Sequence, residues 1–233
     1  MYLINYNYFA IFIRLLTLES VLKELVFSHS DVMGKAITTN NKMTIMNYDQ
    51  DFATVNLILD SDFETRGVDA FILSLIKAEK QMRRIFTYLI FQNPAYNPSH
   101  YTDLRNTLAA NKRIYFEGFI KGFNLISSKS LSEIYGENYV NDIAYLINFE
   151  KDRNKIFHGQ ITSIGLKRDD LISRVNHIKK WCKNLADKID NEIGYDGFGD
   201  SLRKSKSKLE LKNEDRFDTF EKYANFLKTE LQR

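Results

Sequence analysis

Only two prolines occur in 233 residues, Pro94 and Pro98, and both sit in the single stretch QNPAYNP. An interior proline costs a helix about 3 kcal/mol, because it removes a donor and clashes with the preceding turn. A chain whose prolines are confined to one interval is free to form long helices elsewhere, and the apolar spacing uses that freedom. Through VDAFILSLIKAEKQMRRIFTYLIF, residues Val68, Phe71, Ile72, Leu75, Ile76, Ile85, Phe86 and Leu89 recur at three- and four-residue steps. That is the repeat of a helix face turned to a core.

The same period predicts a second helix over Leu104 to Ile126, with Leu108, Tyr115, Phe116, Phe119, Ile120 and Phe123 inward. A third begins near Ser130, uses Leu131, Ile134, Ile143, Leu146, Ile147 and Phe149, and ends at His158. Gly159 suits the left-handed residue just past a helix end. RDDLISRVNHIKKWCKNLADKID gives the cleanest period, with Asp169 or Asp170 available to cap its start. Leu57 to Leu59 fits either a short strand or a helical turn. The expected fold is all-α, a four-helix bundle core with one helix added at each end. Residues 1–47 read as a helix and linker, 48–193 as the bundle, and 194–233 as a glycine-rich turn, basic connector and final helix.

Composition narrows the chemistry. A net charge of +3 permits a polyanionic partner, provided that any basic surface is local. The single cysteine, Cys182, fits a reducing compartment, and four scattered histidines give no zinc spacing, so no metal and no cofactor is expected. MYLINYNYFAIFIRLLTLESVLKELVF is apolar, but Arg14, Glu19, Lys23 and Glu24 interrupt it. Its uninterrupted run falls short of the ~20 residues of a membrane span, so a docked helix and a cytoplasmic protein are expected. Met43 and Met46 open a more ordinary stretch and are alternative starts to Met1.

The chemically suggestive stretch is EKDRNKIFHGQI, Glu150 to Ile161. Arg153 is followed by Asn154, and His158 comes five residues after Arg153. With twelve arginines and four histidines in the chain, the bare spacing is weak. His158 can simply meet the last helix carbonyls, and Arg153 can be a solvated charge near Asp152. Five residues advance a helix by ~500°, which leaves the two side chains about 140° apart, so they cannot stack: either they straddle a cleft or the helix end bends. A histidine at a helix C-terminus sits in a field that favours its cation, and an imidazolium near a guanidinium suits a phosphate.

Arg153-Asn154-x-x-x-His158-Gly159, at the end of the third core helix, resembles the Arg-x4–6-His signature of the HEPN domains. The likeness spans roughly Val68 to Asp190. It implies an all-α, metal-independent endoribonuclease of toxin–antitoxin, abortive-infection or CRISPR systems, acting as a homodimer whose cleft is built from two motifs. It further implies that Arg153 stabilises the scissile phosphate, Asn154 orients it or the arginine, and His158 moves protons. RNA would be the substrate, with an antitoxin or defence-system protein as a further partner. The alternative is a non-catalytic helical module for dimerisation or nucleotide binding.

Other candidates support this site. Glu79 stands where several family members carry a functional acid, and it equally fits an ion pair with Arg83 at i+4. Lys80, Arg83 and Arg84 are candidate RNA-backbone contacts, as are Arg203, Lys204 and Lys206 in the run RKSKSK. Tyr195 and Phe198 in GYDGFG suit packing better than base stacking. His177, between Val175 and Ile178, reads as a partly buried structural histidine.

Overall fold

The computed structural model describes residues 40–160, 162, 165–199, 204 and 209–232. The expected first helix, Arg203 and Lys206 lie outside the described residues. Apart from one isolated bridge between Ser127 and Leu211, the regular structure among the described residues is helical. The chain is all-α. Helix α1 spans Asn40–Leu59, α2 Arg66–Gln92, α3 Tyr101–Ala110, α4 Phe116–Ile126, α5 Leu131–Tyr135, α6 Tyr139–Phe157, α7 Arg168–Ile193 and α8 Phe220–Phe226. A π turn, Leu227–Leu231, extends α8.

Helix α2 is the axis of the core. Eighteen of its 27 residues are buried, which requires neighbours on several sides, and α7, α1 and α4 supply them. Ile76 departs from its expected inward place and is 39% exposed. It shares an outward stripe with Glu79 and Arg83, at three- and four-residue steps. A second stripe, Lys77, Lys80 and Arg84, meets Asp51 of α1 at 3.7, 3.3 and 3.3 Å.

Several boundaries differ from those the spacing predicts. Leu57 to Leu59 form the last turn of α1, which also crosses the expected boundary at residue 47. The expected helix from Leu104 to Ile126 is two helices. Asn111 turns its amide back to the Thr107 carbonyl at 2.8 Å, and Tyr115 is extended. This side-chain capping competes with helix continuation, and apolar spacing carries no record of it. The third expected helix breaks at Gly136, whose φ is +87°. Before the break, Ser130 and Glu133 cap each other's backbone amides at the start of α5.

Nor is the C-terminal segment an appendage. Phe217, Tyr223, Phe226, Leu227 and Leu231 are buried in the common core. Gly122 of α4 permits the approach, since a Cβ there would lie 2.7 Å from the Phe86 ring and 3.0 Å from Leu231. The glycine-rich turn is also packed inward: Tyr195 lies against Tyr88 with ring centroids 4.9 Å apart, and Phe198 against Tyr48 at 5.5 Å. No helix among the described residues is long and apolar enough to cross a membrane.

Gln81 joins three of these parts. Its buried amide donates to the carbonyls of Cys182 on α7 and Asp196 in the turn, at 3.0 and 3.1 Å. Gln81→Leu keeps an apolar fit but removes both donations, and is expected to cost about 1–3 kcal/mol. A lower urea midpoint at unchanged m is the readout.

Candidate functional site

The motif occupies the last turn of α6 and the residues that stop it. The Gln160 amide donates to the Lys155 carbonyl at 2.8 Å and the Gly159 amide to Ile156 at 3.0 Å. Gly159 has φ +63°. These paired bonds around a left-handed glycine satisfy the helix-end carbonyls, as the sequence leads one to expect. They also leave the His158 side chain free of that task. It is exposed, and among the described residues its ring has no hydrogen-bond partner.

Helix α6 is lightly packed, with only Leu146, Phe149 and Asp152 buried. Tyr139, Ile143 and Ile156 pack half-buried beside them, and polar contacts of Asp142 and Asp152 add to its orientation. Arg153 turns toward α2 and is 14% exposed, so it is not a freely solvated charge beside Asp152. Its Nε and Nη2 donate to the Asn154 Oδ1 at 3.3 and 3.1 Å. Its Nη1 lies 3.9 Å from the Glu79 Oε2, while the Glu79 Oε1 accepts from Arg83 at 3.2 Å. Glu79 thus makes the i+4 pair and also reaches the motif arginine. Arg83 rests over the Phe119 ring, 5.1 Å from its centroid.

On the outward face, Val140, Ala144, Ile147, Lys151, Asn154 and His158 follow one another at alternating four- and three-residue steps. All six are exposed or half-exposed, Val140 at 74%. Arg153 and His158 consequently point in different directions within one chain, as the helical offset requires.

Two residues of this neighbourhood escaped the sequence reasoning. Glu150 lines a small cleft with Leu75, Ala78, Phe116 and Leu146. Burial pushes its carboxyl above the ordinary carboxylate range, Arg153 draws it back, and Glu79 adds to the rise. Asp152 is buried and accepts from the Arg174 Nη1 of α7 at 2.5 Å. Glu150 lies one turn before Arg153, a signal that helix spacing makes visible. Nothing in the sequence singles out Arg174 as the partner of Asp152.

The expected RNA contacts divide. Arg83 belongs to the Glu79–Arg153 cluster, whereas Lys80 and Arg84 face Asp51 on the α1 side. Lys204 binds the carbonyls of Phe91 and Asn93 at the end of α2, and sits 4.8 Å above the Phe91 ring. A cation there satisfies helix-end carbonyls. His177 is part-buried as expected, with its Nε2 3.3 Å from Asp142 and its ring edge-on to Tyr145 and Phe149. Among the described residues, no three His, Cys, Asp or Glu side chains group as metal ligands.

No family model, no curated protein and no solved structure matches this chain.

The raised Glu150 carboxyl has a defined consequence for stability. The unfolded chain loses this proton at lower pH than the folded chain does, so this contribution falls as pH rises through the carboxylate range. Glu150→Gln removes that loss. The variant is expected to melt above wild type near pH 7, with the gain vanishing at about pH 3, where both states of the wild type are protonated. Thermal unfolding across that range checks it.

Proposed function

We propose that this chain is a metal-independent endoribonuclease of the HEPN type, acting as a homodimer. The supporting observation is an Arg153–Asn154 unit and an exposed His158, without a hydrogen-bond partner among the described residues, at one helix end. RNA carries its own nucleophile, the ribose 2′-hydroxyl. Attack on the adjacent phosphorus forms a 2′,3′-cyclic phosphate and releases a 5′-hydroxyl. Arg153 would stabilise the charge on the non-bridging oxygens, and Asn154 would orient the guanidinium through the bonds it already makes. His158 would move a proton. Lys151, on the same face, would add a backbone contact.

One imidazole serves one proton transfer at a time, while the reaction needs a proton taken from the 2′ oxygen and another given to the leaving oxygen. A two-fold axis near His158 brings a second imidazole to the same cleft. The outward stripe from Val140 to His158 supports such an axis, being apolar in its first half and polar at the motif. In this reading the protein is a cytoplasmic effector of a defence or toxin–antitoxin module, with RNA as substrate and a neutralising protein as partner.

The prior engagement of Arg153 by Glu79 favours a second reading, a non-catalytic module for dimerisation or nucleotide binding. One assay separates the two. Purified protein incubated with total RNA in EDTA is expected to cut it, leaving 2′,3′-cyclic phosphate and 5′-hydroxyl ends. Arg153→Ala and His158→Ala are each expected to lower the rate by about 100-fold or more while remaining folded. Activity that disappears in EDTA and returns with magnesium would contradict this mechanism, and intact RNA throughout would favour the second reading.

The composite cleft predicts a mixing result. Where one arginine and one histidine suffice, Arg153→Ala and His158→Ala chains regain activity together. Where both copies are needed, either inactive variant inhibits wild type beyond simple dilution. Undiminished specific activity from a demonstrable monomer contradicts the dimer.

A further inference from the structure

Asp152, the residue immediately before the motif arginine, is one of only three buried residues in the 19 of α6. Its partner, Arg174, is itself held in place. The Arg174 guanidinium lies 4.7 Å from the Phe149 ring centroid and 5.9 Å from that of Phe71, while Nη1 donates to the Asp152 Oδ2 at 2.5 Å. The pair is 15% and 9% exposed. Phe149 belongs to α6 and Phe71 to α2, so Arg174 grips α6 at two points, the Asp152 carboxylate and the Phe149 ring, while it rests against α2.

We infer that Arg174 is a positioning residue for the motif: by holding Asp152 it sets the rotation of α6 that turns Arg153 to Glu79 and His158 outward. The inference rests on the ribonuclease reading for its effect on rate, though not for its effect on geometry. Adjacent helix residues are about 100° apart, so fixing Asp152 fixes Arg153 and Asn154 as well. Elsewhere on the helix Leu146 and Phe149 are buried, Tyr139, Ile143 and Ile156 pack half-buried against the core, and Asp142 meets His177 and Tyr135; Asp152 is the one buried side chain in the turn that carries the motif. A buried ion pair is weak support for stability, and apolar residues of similar volume commonly replace one without loss. What an apolar replacement lacks is direction. It fills the space without specifying which way the neighbouring arginine points.

That difference separates positioning from mere structure. In the full-length double variant Asp152→Leu/Arg174→Met, the melting temperature is expected to hold or rise. Its kcat is expected to fall roughly 100-fold with KM within about twofold, the scale of a small misplacement in a reacting site. An activity-independent readout accompanies it: the Arg153 Nε–H resonance in arginine-labelled protein, identified by its absence in Arg153→Ala. It is expected to shift or broaden in the double variant. If the double variant does not fold, Arg174→Lys carries the test, with a shifted resonance and kcat lowered by about tenfold. An unchanged resonance in the folded variant overturns the inference, as does a moved resonance with unchanged kcat. If wild type cuts no RNA but the resonance moves, the ribonuclease reading fails and the positioning stands.

Discussion

A 27-residue helix buried along most of its circumference cannot stand at the edge of a protein. Helix α2 must be enclosed, and the arrangement of the other elements follows from that need. Helices α7, α1 and α4 cover its sides, the turn from Gly194 to Gly199 closes over Gln81, and the C-terminal segment fills the space beside α4. Several of the polar groups drawn inside by this enclosure are matched by specific partners. Gln81 bonds two carbonyls, Asp51 answers Lys77, Lys80 and Arg84, and Lys204 meets the carbonyls at the end of α2. Each such contact offsets part of the cost of taking a polar group out of water.

Helix α6 obeys a different rule. It lies outside this enclosure, buries three side chains, and is oriented by polar contacts: Asp152 to Arg174, Asp142 to His177 and Tyr135, and Arg153 toward Glu79. Such a helix offers its other face to solvent, a requirement for any site that must admit a polyanion. The two carboxylates near Arg153, Glu79 and Glu150, temper a charge that would otherwise attract any anion. An incoming phosphate would have to compete with them for the guanidinium.

The all-α class, the course of α2 and α7, the end of α6 at His158 and the left-handed Gly159 were legible in the chain. Each depends on local rules: a repeat of 3.6 residues, the scarcity of proline, and the preference of glycine for positive φ. The breaks at Asn111 and Gly136 were not legible, because apolar spacing continues across them while the backbone turns on a side-chain hydrogen bond and a single glycine. The inward packing of Tyr195 and Phe198 agreed with the more conservative expectation. The fate of Lys80, Arg84 and Lys204 was open in the sequence, since a basic residue looks the same whether it meets RNA, a neighbouring carboxylate or backbone carbonyls.

What the sequence by itself determined is the inventory at the end of one helix: an arginine, an asparagine, a histidine and a stopping glycine, with Arg153 and His158 on different faces. That offset follows from helix geometry alone. Only the tertiary structure decided which face looks inward. Asp152 turns in to Arg174 of α7, whose guanidinium packs against the Phe149 ring of α6 and the Phe71 ring of α2, and Arg153 faces Glu79 while His158 stays in solvent. The partners are 22 residues apart in one pair and 74 in the other, and they meet because α6 lies against both α2 and α7, which no local pattern encodes.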